Sequence, residues 1–576
     1  MIYGNFDLRR GDHDGKPEQN KPPRWAGNDN PVLSVVTAET AAAFLGTSAA
    51  LGVSEHVRKL QEDLITLGFS IVGTPDGGFG SHTEWAVREF QIYASMAQVA
   101  KVREEKKGQL LLDSAGSPVK VNNMDVYFDS SASIVAKAGK SATVTGETAG
   151  PVSYYVDSLQ SVANSSIYDG PISGVVNELT RAAIEYWLSH DYRCPVVVEA
   201  WNNTAAGVRT DLANNGCNVW AHNSIASNAP RVFFRDFTSY YDYPDTHSRL
   251  EYQTLGYYEP GGFGGPNTAK KHSWSPEAEM SILNLYDSAY NAAEVNSAKI
   301  STYRTMRVVA EAECYGRFDV LNAWDNALMS AGPCHWTMGV FSTTNSAYAP
   351  GELPGLIAYV KNLNPEVFNK AFGKFGLDTV LQWGEAGLYF PGVRTYNTWI
   401  KLSTETDFEA LPTTKEGANY MKTWHWHYRF SMAGRTIGAY RKAMWKLTKL
   451  RLSKILDREV KFRVSGHEVV STLGAVFTSE KSVAILLRWH VYRPAFVVTN
   501  ASLVVPAIQF VIDSNSQVNW ALPVASWGDT HETLLTNEIQ RRLAALNDSI
   551  TNAIQYGTNL PQGAVRPGRN SFIMDV

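Results

Sequence analysis

The sequence lacks the features that most often assign a chain quickly. It has only four cysteines in 576 residues, and none falls in a Cys-x-x-Cys pair, which excludes a disulfide scaffold and a zinc knuckle. Four buried thiols are the plain expectation, with a Cys314–Cys334 bridge left open for an oxidising compartment. No His-Glu-x-x-His string occurs, so a zinc peptidase or amidase is not expected and no metal is called. No cofactor motif is complete either. Gly139-Lys140-Ser141 spells the end of a phosphate loop, but Ile134 stands where its first glycine belongs. Long apolar runs are absent, so no membrane span is expected. The first 25 residues carry no apolar core, so no secretory signal is expected. Excess charge is absent too: 52 Lys and Arg against 56 Asp and Glu give a net charge of −4. That balance argues against a nucleic-acid partner.

What is present is globular. Hydrophobic residues make up 44% and charged residues 19%, values of a folded chain with a large core. The length predicts roughly three or four domains. Tryptophan is abundant, at 16 residues, about twice ordinary usage. Large aromatic cores or flat sugar-stacking surfaces would both use such a surplus.

Near the N-terminus one segment has readable physical logic. Leu60, Leu64 and Leu67 mark one helical face. Asp76-Gly77 predicts a tight turn, and Gly80 a left-handed backbone. Thr83 stands near a helix start, and Ala86, Val87 and Phe90 make the facing stripe. The string Leu60-Gln61, Leu67-Gly68, Asp76-Gly77-x-Phe79-Gly80, Thr83 and Ala86-Val87-x-x-Phe90-Gln91 resembles the common peptidoglycan-binding domain, a three-helix module of cell-wall hydrolases. The resemblance implies wall contact through Leu60, Gln61, Asp76, Phe79, Thr83, Phe90 and Gln91, with peptidoglycan as partner. A weaker copy reads Leu159-Gln160, Asp169-Gly170-x-Ile172, Thr180 and Ala183-Ile184-x-x-Trp187.

The run from Glu311 to Gly339 carries the candidate chemistry. A predicted helix ends in Glu313, and Gly316, a Ser330-x-Gly332 turn and an aromatic-polar pair follow. This order resembles lysozyme-like muramidases and lytic transglycosylases, with Cys314 in place of their serine, and His335 or Trp336 near the place of a glutamine. Cleaving a glycoside needs a carboxylic acid that stays protonated near neutral pH, and burial against aromatics raises a glutamate toward that state. Glu313 is the expected acid, with Asp319 and Asp325 as candidate second carboxylates. Tyr315, Trp324, Ser330, His335 and Trp336 are the expected substrate contacts. Glu311, Glu259 and Glu385 are rivals for the acid. His425 and His427, two residues apart, fall on different helix faces and read as packing. The basic run from Arg429 to Arg463 reads mainly as a solvated helix face beside a core stripe.

The expected fold is mainly α (α+β): one or two peptidoglycan-binding modules, then a lysozyme-like, largely helical catalytic region. The boundaries are a flexible leader over 1–50, the module over 51–100, an insertion or linker over 101–150, and a second degenerate module over 151–195. A catalytic core over 196–345, a helical extension over 346–556 and a tail over 557–576 complete the chain. Helices are expected near 275–296, 302–314, 354–374, 415–455 and 532–555, with a β-like stretch at 495–512. The resemblance implies cleavage of the β-1,4 bond between N-acetylmuramic acid and N-acetylglucosamine. Synthesis without a signal implies a cytosolic origin and action in the periplasm or on the wall of a target cell after lysis or injection. A phage or contractile injection particle and an immunity protein are the partners such delivery implies. The alternatives are a non-enzymatic wall-anchoring component of such a particle and a chitosanase-like glycosidase.

Overall fold

The computed structural model describes residues 2–14, 55–73, 75–101, 117, 120–121, 124–125, 134–135, 153–154, 158–203, 209–211, 231–236, 249–251, 276–286, 296–314, 318–322, 328–342, 347–381, 388–390, 393–394, 398–402, 420–499, 501–545 and 565–575. Helices dominate these residues.

Two helices open the fold, α1 (His56–Thr66) and α2 (Ser81–Ala94). Val57, Leu60, Leu64 and Leu67 are fully buried on the inner side of α1 and its C-terminal end, as the leucine spacing predicts. Phe69 meets Phe90 of α2 edge-on with centroids 5.7 Å apart. The tight turn between the helices takes its left-handed residue at Gly77, with φ +73°. Gly80 instead lies extended at φ −88° as the N-cap of α2.

The predicted leader is structured over residues 2–14. Asp14 accepts from the Val57 and Arg58 amides at 2.8 and 2.7 Å and so caps α1. Asp12 O accepts from Phe79 N at 2.8 Å, and Leu8 exchanges backbone hydrogen bonds with Val176.

The second degenerate module is not a separate hairpin. Leu159 and Gln160 lie in strand β2 (Ser158–Ser161), which pairs antiparallel with β1 (Gln98–Lys101). On its other edge β1 pairs with β3 (Tyr192–Arg193). The following helix, α3 (Glu178–Ser189), packs onto α2 and the segment after α1, with Trp187 edge-on to Phe90 at 5.3 Å and beside Phe69 at 6.4 Å. One apolar core therefore takes residues from both sides of 102–157.

Beyond the module, β4 (Val196–Asn203) sits in a four-stranded antiparallel sheet with 209–211, 231–236 and 249–251. The body helices are α4 (Pro276–Ile282), α5 (Ser297–Cys314), α6 (Leu353–Leu363), α7 (Pro365–Ala371), α8 (Trp424–Thr436) and α9 (Gly438–Leu456). A β-hairpin, 459–464 with 467–472, separates α9 from α10 (Glu480–Tyr492), α11 (Val504–Ser514) and α12 (Asp529–Ala544). Helix α10 packs along α5. Helix α11 corrects the β-like expectation: Val504, Ala507, Ile508, Val511 and Ile512 are buried at helical spacing, and this period outweighs their β-branched chemistry. Among the described side chains the tryptophans are core: Trp85, Trp187, Trp336, Trp426, Trp445, Trp489, Trp520 and Trp527 are all buried.

Candidate functional site

The wall-binding motif works from the inside of the module. The Gln61 carbonyl oxygen accepts from the amides of Asp76 and Gly77, each at 2.9 Å. Its amide nitrogen donates to Gly78 O and to Thr83 Oγ1, both at 3.0 Å. Gln61 thus fastens the turn to the start of α2. Gln91 repeats the device one helix later. Its oxygen accepts from Gly174 N at 2.9 Å, and its nitrogen donates to Val175 O at 2.9 Å and Thr180 Oγ1 at 3.1 Å. Asn177 then caps α3 through the Thr180 amide. Leu60, Phe79, Phe90, Gln61, Gln91 and Thr83 are all buried. These six expected wall contacts shape the module, and Asp76 alone of the seven is exposed.

Glu313 stands at the end of α5, as expected, but its surroundings differ from the expected apolar pocket. Arg488 of α10 donates to one carboxylate oxygen, and His335 Nδ1 lies 3.0 Å from the other. His335 reaches it from a turn, with φ +51° and its amide bonded to Gly332 O. Burial alone would raise the Glu313 carboxyl. The His335 hydrogen bond and the Arg488 and Arg451 charges outweigh it and leave the pKa below the usual value. A carboxylate held ionised cannot donate a proton to a leaving oxygen near neutral pH.

The other expected residues that are described are similarly committed to structure. Asp319 pairs with Arg435 Nε at 3.1 Å, and both side chains are buried. Trp336 is 1% exposed and lies against Gly332, where an added Cβ would come 2.8 Å from its ring. It offers no face to a sugar. Ser330 is buried in a short strand paired with Trp336–Thr337. Tyr315, Trp324 and Asp325 lie outside the described residues, as do Glu259, Glu385 and the side chain of Glu311. Cys194, Cys314 and Cys334 are buried thiols outside any disulfide, so the Cys314–Cys334 bridge is not formed. Among the described residues no group of three or more His, Cys, Asp or Glu is placed to hold a metal.

Sequence reading missed the cations that organise this region. Arg451 of α9 pairs with Glu352 and donates to His490 Nδ1 at 3.1 Å. Arg441 donates to the Leu283, Gly434 and Arg435 carbonyls. Arg429 pairs with Glu89 of α2, and both side chains are almost wholly excluded from water. Arg429, Arg435, Arg441 and Arg451 are therefore buried ties, whereas Lys446, Lys454, Lys461 and Arg463 are exposed, so the solvated-face reading holds for those four and fails for the four buried arginines. The spacing of the buried arginines along α8 and α9 carries no signal, and the carboxylates that Arg429, Arg435 and Arg451 pair with lie far away in sequence.

Residues 53–97 match the family described as “Putative peptidoglycan binding domain”. The matched stretch covers α1, the turn and α2, and it supports association with peptidoglycan. Searches of curated proteins and of solved structures return no match. Among the described residues no helix is long and apolar enough to cross a membrane.

Proposed function

We propose that this chain is a wall-anchoring protein: its N-terminal module holds peptidoglycan, and its helical body is a structural unit carried on that module. The observation that carries this reading is the peptidoglycan-binding match over residues 53–97, and the clamping of Glu313 between Arg488 and His335 favours a structural over an acid role for that residue. The test is sedimentation of the full chain with purified peptidoglycan, paired with analysis of soluble products. Expected is saturable co-sedimentation, no released muropeptides, and the same behaviour from Glu313→Gln. Failure to co-sediment would remove the reading.

A second reading keeps the muramidase. It is favoured by the position of Glu313 at the end of a helix beside a histidine, with its side chain 9% exposed. In that reading the wild-type chain releases muropeptides with anhydro or reducing ends, and Glu313→Gln abolishes the release. Delivery as a phage lysin or injected effector, action in a target's periplasm and an immunity partner belong to this second reading.

A further inference from the structure

Residues 565–575 run as a strap across the body, and every anchor they use is a side-chain or backbone group remote in sequence. Arg566 donates through Nε and Nη2 to Glu480 at 3.0 and 2.6 Å, and its amide donates to the same carboxylate. The Glu480 side chain is wholly buried. Three residues on, Arg569 is 3% exposed and pairs with Glu532 at 2.9 Å. It also donates to the carbonyls of Ala475, Val476 and Val524. The strap backbone is read as well. Phe572 N donates to Thr478 O at 2.9 Å, Ile573 N to Ser301 Oγ at 3.0 Å, and Asp575 N to Thr302 Oγ1 at 2.7 Å.

Two buried carboxylates thus take two arginines at a fixed spacing, while hydroxyls at the start of α5 read alternate amides. Without the arginines, Glu480 and Glu532 would be buried charges lacking their cations, which is strongly unfavourable. Strap and groove are chemically matched as a peptide is to its receptor.

We propose that the groove between α5, α10 and α12 is a peptide-recognition site for the pattern Arg-x-x-Arg-x-Ser-Phe, and that it accepts this segment from a second copy of the chain as well as from its own. The covalent path permits either seating. Asp529, the first residue of α12, accepts from the Arg569 amide at 2.6 Å, and α12 itself spans about 24 Å. The nineteen residues 546–564 that return the chain can extend to roughly 60 Å. A swapped strap makes the same contacts as a strap in place, so only linker entropy and local concentration separate the two arrangements. The inference is independent of wall binding.

The test begins with the full chain carrying a protease site within 546–564, cut after folding. The cut strap should remain bound through gel filtration and exchange with a fluorescent peptide of residues 565–576. A peptide with Arg569→Ala should bind at least tenfold more weakly, and this change cannot impair folding of the body. Uncut copies with two different tags should co-purify after mixing at high concentration, and excess free peptide should separate them. Immediate loss of the cut strap without peptide binding would overturn the proposal. So would equal binding of the Arg569→Ala peptide, or tagged copies that never pair.

Discussion

At the scale of the residue, buried histidines set how the body responds to acid. His490 is held down to about 2 by burial first, then by Arg451 and Lys454. His427 is held down to about 3 by burial alone. Each stays neutral in the fold, whereas an unfolded chain would protonate it below its ordinary value of 6.5. The unfolded state therefore binds more protons as the pH falls, and stability drops. The contribution is complete above pH 6.5 and declines from there toward the folded values. At pH 5 each histidine should cost about 2 kcal/mol. Glu89 and Glu313, both below the usual carboxylate value, act with the same sign at lower pH. Urea unfolding between pH 8 and 5 should show this loss, and His490→Gln should flatten the profile. A wild-type stability independent of pH across this range would refute the account.

At the scale of the element, close approach decides more than propensity does. Near the end of α8, a Cβ on Gly434 would fall 2.3 Å from Phe318 O and 2.9 Å from Asp319 Cα. The helix must come this close to deliver Arg435 to Asp319. Local propensity predicts that Gly434→Ala stabilises the helix by about 1 kcal/mol. The contact predicts the opposite sign, a loss of about 1–3 kcal/mol. Denaturant midpoints of the full chain distinguish them, and a stabilised variant would show that the approach is slack. The same contrast explains what could be read in advance. Leu60, Leu64 and Phe90 were legible as packing faces because the contacts they make lie mostly within one short stretch, whereas Gln61, Phe79 and Thr83, expected as wall contacts, are buried inside the module. Helix α3 carries the Thr180 to Trp187 stretch of the weaker copy, which reads as a second module although it completes the core of the first across 102–157. Glu313 was rightly placed at a helix end, yet its state depends on Arg488, 175 residues away. No spacing rule encodes a partner at that distance.

At the scale of the whole molecule, the wall-binding module is seated on the body by charge as well as by apolar contact. Glu89 accepts from Arg429 Nη1 at 3.1 Å and from the Tyr420 hydroxyl at 2.8 Å. Trp85 stacks on Tyr420 with centroids 6.0 Å apart. The Arg429 guanidinium lies over Phe375 and Trp426 at 4.5 and 4.7 Å. Burial raises the Glu89 carboxyl, but Arg429 more than offsets it, so the pair is ionised inside the interface. Removing only Arg429 leaves a buried carboxylate without its cation, and Arg429→Met should cost about 3–5 kcal/mol. Removing both charges leaves an apolar contact, so Glu89→Met with Arg429→Met should recover most of that loss. A double-mutant cycle in urea measures the coupling. Additive losses would mean that the ion pair does not hold the module in place. Strong coupling carries a functional consequence. The face of α2 that bears Trp85 and Glu89 is occupied by the body, so peptidoglycan must be met by another face of the module. The body is then held at a fixed angle to whatever polymer the module grips. The double variant should still co-sediment with peptidoglycan, because it changes only the face turned away from the wall.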